Sequence, residues 1–310
     1  MGKYCTARAV LNHDSMEIQT LSEQFCEYSR YIRGYSLDTV RRYRATIRQF
    51  QHSSNLTQIS DCTEEAVRAF FYRGRLERSW RPSTFVTYHK SLVVFFRWCV
   101  QHGHLAANPT DGIEVPKGAK PLPSRLGKQD AMRVLECVQN APYPYRFQRY
   151  RNHAIVATFM FAGLRKKELL GLSMTDVDCE ARSIYVRRGK GAKDRLVPMS
   201  ATLAGILRCY VDDRQRLMKT CTSFFASLNR DIGLTDAGLK RILERIKRST
   251  GLNVTAHKLR HTFATLMLEG GCDIFSLSRM MGHSDIKTTT IYLAATAEHL
   301  RGQMAKHPLN

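Results

Sequence analysis

His257-Lys258-Leu259-Arg260-His261-Thr262-Phe263-Ala264-Thr265 is followed by Met281-Gly282-His283 and, nine residues after that histidine, by Tyr292. The first run has helical spacing. His257 and Arg260, three residues apart, share one face, while Phe263 and Leu266 suit anchorage in a core. A further helical pattern runs from Ile274 to Met281, and Gly282 is placed to end it and expose His283 at the turn. Tyr292 falls on the next short helix. One histidine with one arginine is often merely structural, and a tyrosine is more often a packed amphipathic residue than a nucleophile. The meaning of these residues therefore depends on what accompanies them.

Upstream, the apolar stretch Ala154 to Leu164 reads as a buried helix ending at Gly163, with Arg165 immediately after and Glu168 one turn further on. A guanidinium at the edge of a buried segment can be held rigidly, as bidentate recognition of a phosphate requires; alone, the pair reads equally as a surface ion pair. Ile184-Tyr185-Val186 and Arg195-Leu196-Val197 flank Gly189-Lys190-Gly191 and read as a β-hairpin with a glycine-rich turn. That turn lets the backbone approach a groove, and Lys190 is placed to deliver a proton there. The pattern G-x-x-x-x-G-K-[ST] is absent, which argues against ATP hydrolysis. Further helical patterns cover Leu203 to Met218 and Asp236 to Thr250.

The N-terminal part reads as helices from about Leu21 to Val100. One starts near Ser36, a suitable N-cap, with Asp38 in its first turn. Val40, Tyr43, Ile47 and Phe50 form its core stripe, and Arg41, Arg42, Arg44 and Arg48 fall largely on the other side. Another begins around Pro82 and buries Phe85, Tyr88, Leu92, Phe95 and Cys99, with Gly103 just past its end. Between Ala106 and Arg125 periodicity is lost among Pro109, Pro116, Pro121 and Pro123, so an extended linker is expected there. The reading is mainly α: an N-terminal helical domain over 15–107, a linker over 108–126, and an α-rich domain with a small antiparallel hairpin over 127–310.

The 310-residue chain carries 48 Lys and Arg against 27 Asp and Glu, a net charge of +21. That excess favours a polyanionic partner, and nucleic acid rewards each neutralised phosphate with released counterions. For any one arginine a solvated surface is the safer reading; for the set, phosphate contact is favoured. Nine cysteines are scattered without a C-x-x-C pair, which indicates reduced thiols and no zinc site. No signal peptide is read at the N-terminus, and the longest apolar stretch is too short to span a bilayer. A cytoplasmic location without membrane partners is expected.

Together these residues resemble the tyrosine recombinases, the phage integrase family. H-x-L-R-H-T-F-A-T, then Gly-His, then a tyrosine nine residues on, is a highly specific combination, and the size is closest to Xer-type or transposon-borne members. The resemblance implies an N-terminal core-binding, SAM-like domain and a C-terminal catalytic domain. By position it implies Arg165, Lys190, His257, Arg260 and His283 as catalytic groups around the nucleophile Tyr292. Met281 stands where leucine is common, and Leu293-Ala294 replaces a frequent x-His; neither touches a reacting group.

The chemistry so implied joins DNA to the protein through a 3′-phosphotyrosyl bond and frees a 5′ hydroxyl. A phenol of pKa about 10 needs help to attack at neutral pH. Arg165 and Arg260 would clamp the non-bridging oxygens and stabilise the charge of the transition state. His257 would accept the proton of Tyr292 or orient it, His283 would hydrogen-bond the phosphate, and Lys190 would protonate the departing oxygen. Arg41, Arg42, Lys90, Lys193 and Lys258 are expected DNA contacts. No metal or other cofactor is expected. Double-stranded recombination sites and further copies of the chain, as a tetramer on paired sites passing through a Holliday junction, are the implied partners. Accessory bending or directionality proteins are also allowed for. The tail, Ala297 to Asn310, is read either as docking on a neighbouring subunit or as packing on its own domain. A type IB-like topoisomerase and a DNA-binding regulator without chemistry are the rival readings. Supercoil relaxation without strand exchange would mark the first, and failure to form a covalent adduct the second.

Overall fold

The structure is a computed structural model that describes residues 16–116, 124–187, 194–283, 289–290 and 292. The chain divides into two compact units, Met1–Lys120 and Pro121–Asn310.

Four α-helices build the described part of the first unit: α1 (Ile18–Glu27), α2 (Leu37–Ser54), α3 (Glu64–Leu76) and α4 (Pro82–Gln101). A π-helical turn, Tyr28–Ile32, extends α1. The ends of the helices follow local chemistry. The Ser36 hydroxyl accepts a hydrogen bond from the Thr39 amide at 3.3 Å, and α2 stops at Asn55 in the left-handed conformation. Thr63 caps α3, which carries Glu64 and Glu65 in its first turn and Arg73 and Arg75 in its last, the arrangement that complements the helix dipole. Pro82 occupies the first turn of α4, where a missing N–H costs nothing.

The core of this unit is aromatic. Phe25, Phe50, Phe70, Phe95 and Phe96 are fully buried. Phe50 meets Phe70 and Phe96 edge-on, with centroids 5.3 and 5.7 Å apart. Such pairs add about 0.5–1.5 kcal/mol each beyond the area they bury. The stripes read from sequence are the buried faces: Val40, Tyr43, Ile47 and Phe50 on α2, and Phe85, Leu92, Phe95 and Cys99 on α4, with Tyr88 partly covered. Arg41, Arg42, Arg44 and Arg48 lie exposed.

In the second unit, α5 (Lys128–Asn140), α6 (Arg146–Ala162) and the short α7 (Lys166–Leu170) precede a three-stranded antiparallel sheet. Its strands are β1 (Val177–Asp178), β2 (Ser183–Val186) and β3 (Arg195–Pro198). Then follow α8 (Ala201–Arg216), α9 (Asp236–Thr250), α10 (Ala256–Glu269) and α11 (Ile274–Met281). α6 is the central helix. Ala154 through Met160 are consecutively buried, as expected of a helix covered on all sides, and α5, α8 and α10 pack around it. The hairpin pairs Ile184 with Val197 and Val186 with Arg195. β1 adds an edge with two residues, too few to leave an alternation in the sequence. The glycine-rich turn with Lys190 and Lys193 lies outside the described residues, as does the tail from Ala297.

The segment 108–126 is held at both ends. Ile113 belongs to the first core, and the Asn108 side chain accepts hydrogen bonds from the amide and hydroxyl of Thr110. Leu126 belongs to the second core, its amide donating to the Thr262 hydroxyl at 2.9 Å, and Arg125 pairs with Glu269. Among the described residues no helix is long and apolar enough to cross a membrane.

Candidate active site

The site grows from the junction of α6 and α7. α6 must stop at Gly163, whose φ of +61° suits glycine and where a Cβ would lie 2.2 Å from the Phe263 ring. The chain then turns through Arg165 into α7. There the Glu168 carboxylate accepts a hydrogen bond from the Arg165 amide at 2.8 Å and from its guanidinium at 2.7 Å.

Glu168 is also gripped by Arg195 from β3 through two parallel hydrogen bonds of 2.9 and 2.8 Å, the bidentate geometry a guanidinium is shaped for. Arg260 of α10 approaches the same carboxylate at 3.9 Å. Burial works against the Glu168 charge, but the Arg195 hydrogen bonds and the Arg165 backbone and side chain outweigh it and hold the carboxyl down at about 2.

These three arginines share a second anchor. Arg195 Nε donates to the Met280 carbonyl at 2.8 Å, Arg260 to the Met281 carbonyl at 2.7 Å and Arg165 to the Gly282 carbonyl at 2.7 Å. Three successive carbonyls at the C-terminus of α11 thus each receive one guanidinium. Helix ends leave such carbonyls without intrahelical partners and carry partial negative charge, so the cations satisfy both. Gly282 closes α11 with φ +65°, and any side chain there would strike Arg195. Arg260 also bonds the Gly163 carbonyl, tying α10 to the end of α6. Burial, and then the neighbouring Arg165 charge, lower Arg260 to about 10, which leaves it protonated at neutral pH.

His283, half-buried, is held from both sides. Its Nε2 lies 3.1 Å from Arg260 Nη2, and its Nδ1 lies 2.8 Å from the Thr289 hydroxyl. Thr289, Thr290 and Tyr292 have helical backbone. The Tyr292 ring is 1% exposed and packs with Phe263, Ala264, Leu268, Leu277 and Met281 between α10 and α11. Burial raises its phenol to about 12, against the pull of the Arg260 and Arg165 charges.

The Tyr292 hydroxyl meets Nδ1 of His261 at 2.5 Å, and Nε2 of His261 meets Nε2 of His257 at 2.6 Å. His257, expected from sequence to act on Tyr292 itself, thus reaches it through His261. The i, i+4 spacing brings the two imidazoles together edge-to-face on one face of α10, with ring centroids 4.0 Å apart and an interplanar angle of 77°. The helix start that sets this register is capped by the Thr255 hydroxyl, which accepts from the Lys258 amide at 3.1 Å.

Arg165, Arg260 and His283 are therefore joined with Glu168 and Arg195 in one ion-paired and hydrogen-bonded cluster, and Tyr292 and His257 are joined in a second through His261, with the Arg260 and Arg165 charges acting on the phenol. Lys190 lies outside the described residues. Of the expected DNA contacts, Arg41 and Arg42 project from α2, Lys90 lies exposed on α4, and Lys258 is half-buried on α10. Arg41 also pairs with Asp38 at 3.8 Å. Sequence reasoning missed Arg195 and His261. Both had a signal. Strand alternation puts Arg195 on the same face as buried Val197, and a charge on an inner face needs a partner. His261 lies one helical turn from His257 inside the very run that was singled out.

The chain is similar to known proteins over most of its length. Residues 125–299 match the phage integrase family profile, and residues 21–103 match the phage integrase N-terminal SAM-like domain. A tyrosine recombinase XerC of Oceanobacillus iheyensis is 30% identical over 305 residues, covering 94% of this chain and 97% of the relative. A tyrosine recombinase XerC 2 of Ralstonia nicotianae is 31% identical over 299 residues, covering 89% and 82%. The crystal structure of the XerH site-specific recombinase bound to palindromic difH substrate, a post-cleavage complex, shares the fold. Its TM-score is 0.73 at 22% identity, with 93% of this chain and 84% of that one covered.

Proposed function

From the premise that this chain belongs to the phage integrase family, we propose that Tyr292 is its nucleophile and that Arg165, Lys190, His257, Arg260 and His283 serve the reaction there. The chain is a site-specific tyrosine recombinase, which cleaves and rejoins DNA strands through a 3′-phosphotyrosyl intermediate. The observation that carries the residue assignment is the tie between the two halves of the cluster. Arg260 hydrogen-bonds His283 and its charge draws the Tyr292 phenol down against burial, while Arg165 donates to the Gly282 carbonyl of the turn that presents His283.

In this reading Arg165 and Arg260 bind the non-bridging oxygens of the scissile phosphate. Glu168 and the α11 carbonyls hold both guanidiniums in place beforehand, so little reorganisation accompanies the gain of charge in the transition state. His283 hydrogen-bonds the same phosphate, a contact for which its Nε2, which accepts from Arg260, takes up a proton of its own. Lys190 protonates the departing 5′ oxygen. The covalent bond conserves the energy of the phosphodiester, and the 5′ hydroxyl of another strand reverses the step on a new partner.

Residues 15–107 are assigned to core binding, 108–126 to the connection and 127–310 to catalysis. Arg41, Arg42, Lys90, Lys193 and Lys258 are assigned to DNA contacts, most of them to phosphates. The substrate is a pair of duplex sites brought together by four copies of the chain in the cytoplasm, with accessory bending or directionality proteins as further partners.

A nicked suicide substrate carrying the cognate site tests the assignment. The wild-type chain should migrate with covalently attached DNA on a denaturing gel. Tyr292→Phe should bind the site with unchanged affinity and give no adduct. An adduct formed by Tyr292→Phe would refute the choice of nucleophile.

A further inference from the structure

We infer that His261 takes the proton from the Tyr292 hydroxyl and hands one on to His257, so that two imidazoles in series act as the base for the nucleophile. The inference rests on the assignment of Tyr292 above.

Three polar groups stand in line: the phenol, His261 and His257. The Tyr292 hydroxyl to His261 Nδ1 distance is 2.5 Å, and Nε2 to Nε2 is 2.6 Å. A nitrogen–nitrogen contact this short between neutral rings requires one N–H and one bare nitrogen. The protons of the chain are therefore coupled, and only two arrangements are self-consistent. In one, His257 donates to His261, which donates toward the phenol oxygen. In the other, the phenol donates to Nδ1 of His261, whose Nε2–H donates to Nε2 of His257. Only the second can deprotonate the phenol.

The environment favours that direction. Phe263 and Leu268 wall the phenol in, and His261 is only 8% exposed, so a proton leaving Tyr292 meets His261 first. His257 is exposed and provides the outlet. Burial, then the His257 and Arg260 charges, hold His261 down at about 4, and burial together with Arg260 lowers His257 as well. Both rings are thus neutral and able to accept a proton at neutral pH. A single buried imidazole would have to carry the positive charge beside Arg260; a second ring moves that charge to the surface.

The step balances. As the phenol oxygen bonds to phosphorus, its O–H bond breaks and an N–H bond forms at Nδ1 of His261. At the same time Nε2–H of His261 breaks and Nε2–H of His257 forms. His261 ends neutral in its other tautomer and His257 ends as an imidazolium. The P–O5′ bond breaks, and its oxygen takes a proton from a separate donor, Lys190 in the assignment above. Rejoining runs the same transfers backwards and returns the proton to the departing phenol.

The test is the rate of adduct formation on the suicide substrate by the full chain, measured with tyrosine or a polyfluorinated tyrosine at position 292. The fluorinated phenol ionises near neutral pH and needs no base. His261→Ala should bind DNA normally and cleave about a hundredfold more slowly or worse. With the fluorinated residue, His261→Ala should cleave within a few-fold of the equally fluorinated parent. Should His261→Ala fail to fold, His261→Asn, which offers the phenol a hydrogen bond but no relay, is expected to show the same loss and rescue. Cleavage at the parental rate by either variant overturns the relay. So does a loss that fluorination leaves untouched, because that marks a purely structural role. Either result leaves the nucleophile intact as long as Tyr292→Phe gives no adduct; an adduct from Tyr292→Phe removes both ideas together.

Discussion

Arg195 illustrates what one side chain contributes when it lies between elements. It gives two hydrogen bonds to Glu168 and one to the Met280 carbonyl, with its side chain 11% exposed. Arg195→Met keeps the length and removes all three. Losing one partner of a buried ion pair typically costs about 3–5 kcal/mol, and a urea titration should show a loss of that order. The acid limb of stability should change with it. Glu168 is held at about 2 in the folded chain against an ordinary value of 4.5. A depressed carboxyl contributes its full stabilisation above the unfolded value and loses it as pH falls toward the folded one. In Arg195→Met the folded value rises toward 4.5, so that acid loss should be smaller and complete at higher pH. Identical titrations for variant and parent between pH 2 and 5 (about the window those two values define) would contradict the role given to Arg195.

At the level of elements, what the sequence declares is what local physics decides. Ser36, Pro82, Gly163 and Gly282 each mark a helix end because capping, a fixed φ or a positive φ is a property of one residue and its neighbours. The buried stripes of α2 and α4 are legible for the same reason, whereas the catalytic candidates Arg165, His257, Arg260, His283 and Tyr292 are legible through the family resemblance of their order and spacing. What escaped depends on contact between distant segments. The ladder of Arg195, Arg260 and Arg165 on Met280, Met281 and Gly282 joins four segments, and nothing in any one of them announces it. The intervention of His261 between His257 and Tyr292 is likewise set by where the chain returns, thirty-one residues later. Gly163→Ala tests the junction on which this assembly rests. The positive φ and the Phe263 ring both oppose a methyl group, and overpacking alone costs about 1–3 kcal/mol. The variant should unfold at a lower urea concentration and cleave more slowly, since the Gly163 carbonyl also holds Arg260. Parental stability would show that the turn adapts.

Across the whole molecule, the segments before and after the stretch that loses its periodicity build two separate cores. One is built on Phe25, Phe50, Phe70, Phe95 and Phe96, the other around α6. Each is of a size that supports independent folding. Pro121–Asn310 and Met1–Lys120, produced separately, should each melt in a single cooperative transition followed by circular dichroism; a gradual, non-cooperative melt of either would mean that it depends on the other. The excess of 48 basic over 27 acidic residues was visible at once, whereas its local concentration was not. Three guanidiniums converge on the carboxylate of Glu168, and Arg260 is disfavoured as a cation first by burial and then by the Arg165 and Arg195 charges. Among the described residues this cluster therefore holds more positive than negative side-chain charge, with Arg195 and Arg260 largely buried, and an anion beside it would offset their repulsion. On the proposed assignment a phosphodiester supplies that charge and an uncharged methylphosphonate linkage of the same shape does not, so a site with the methylphosphonate at the crossover position should bind more weakly in a gel-shift titration.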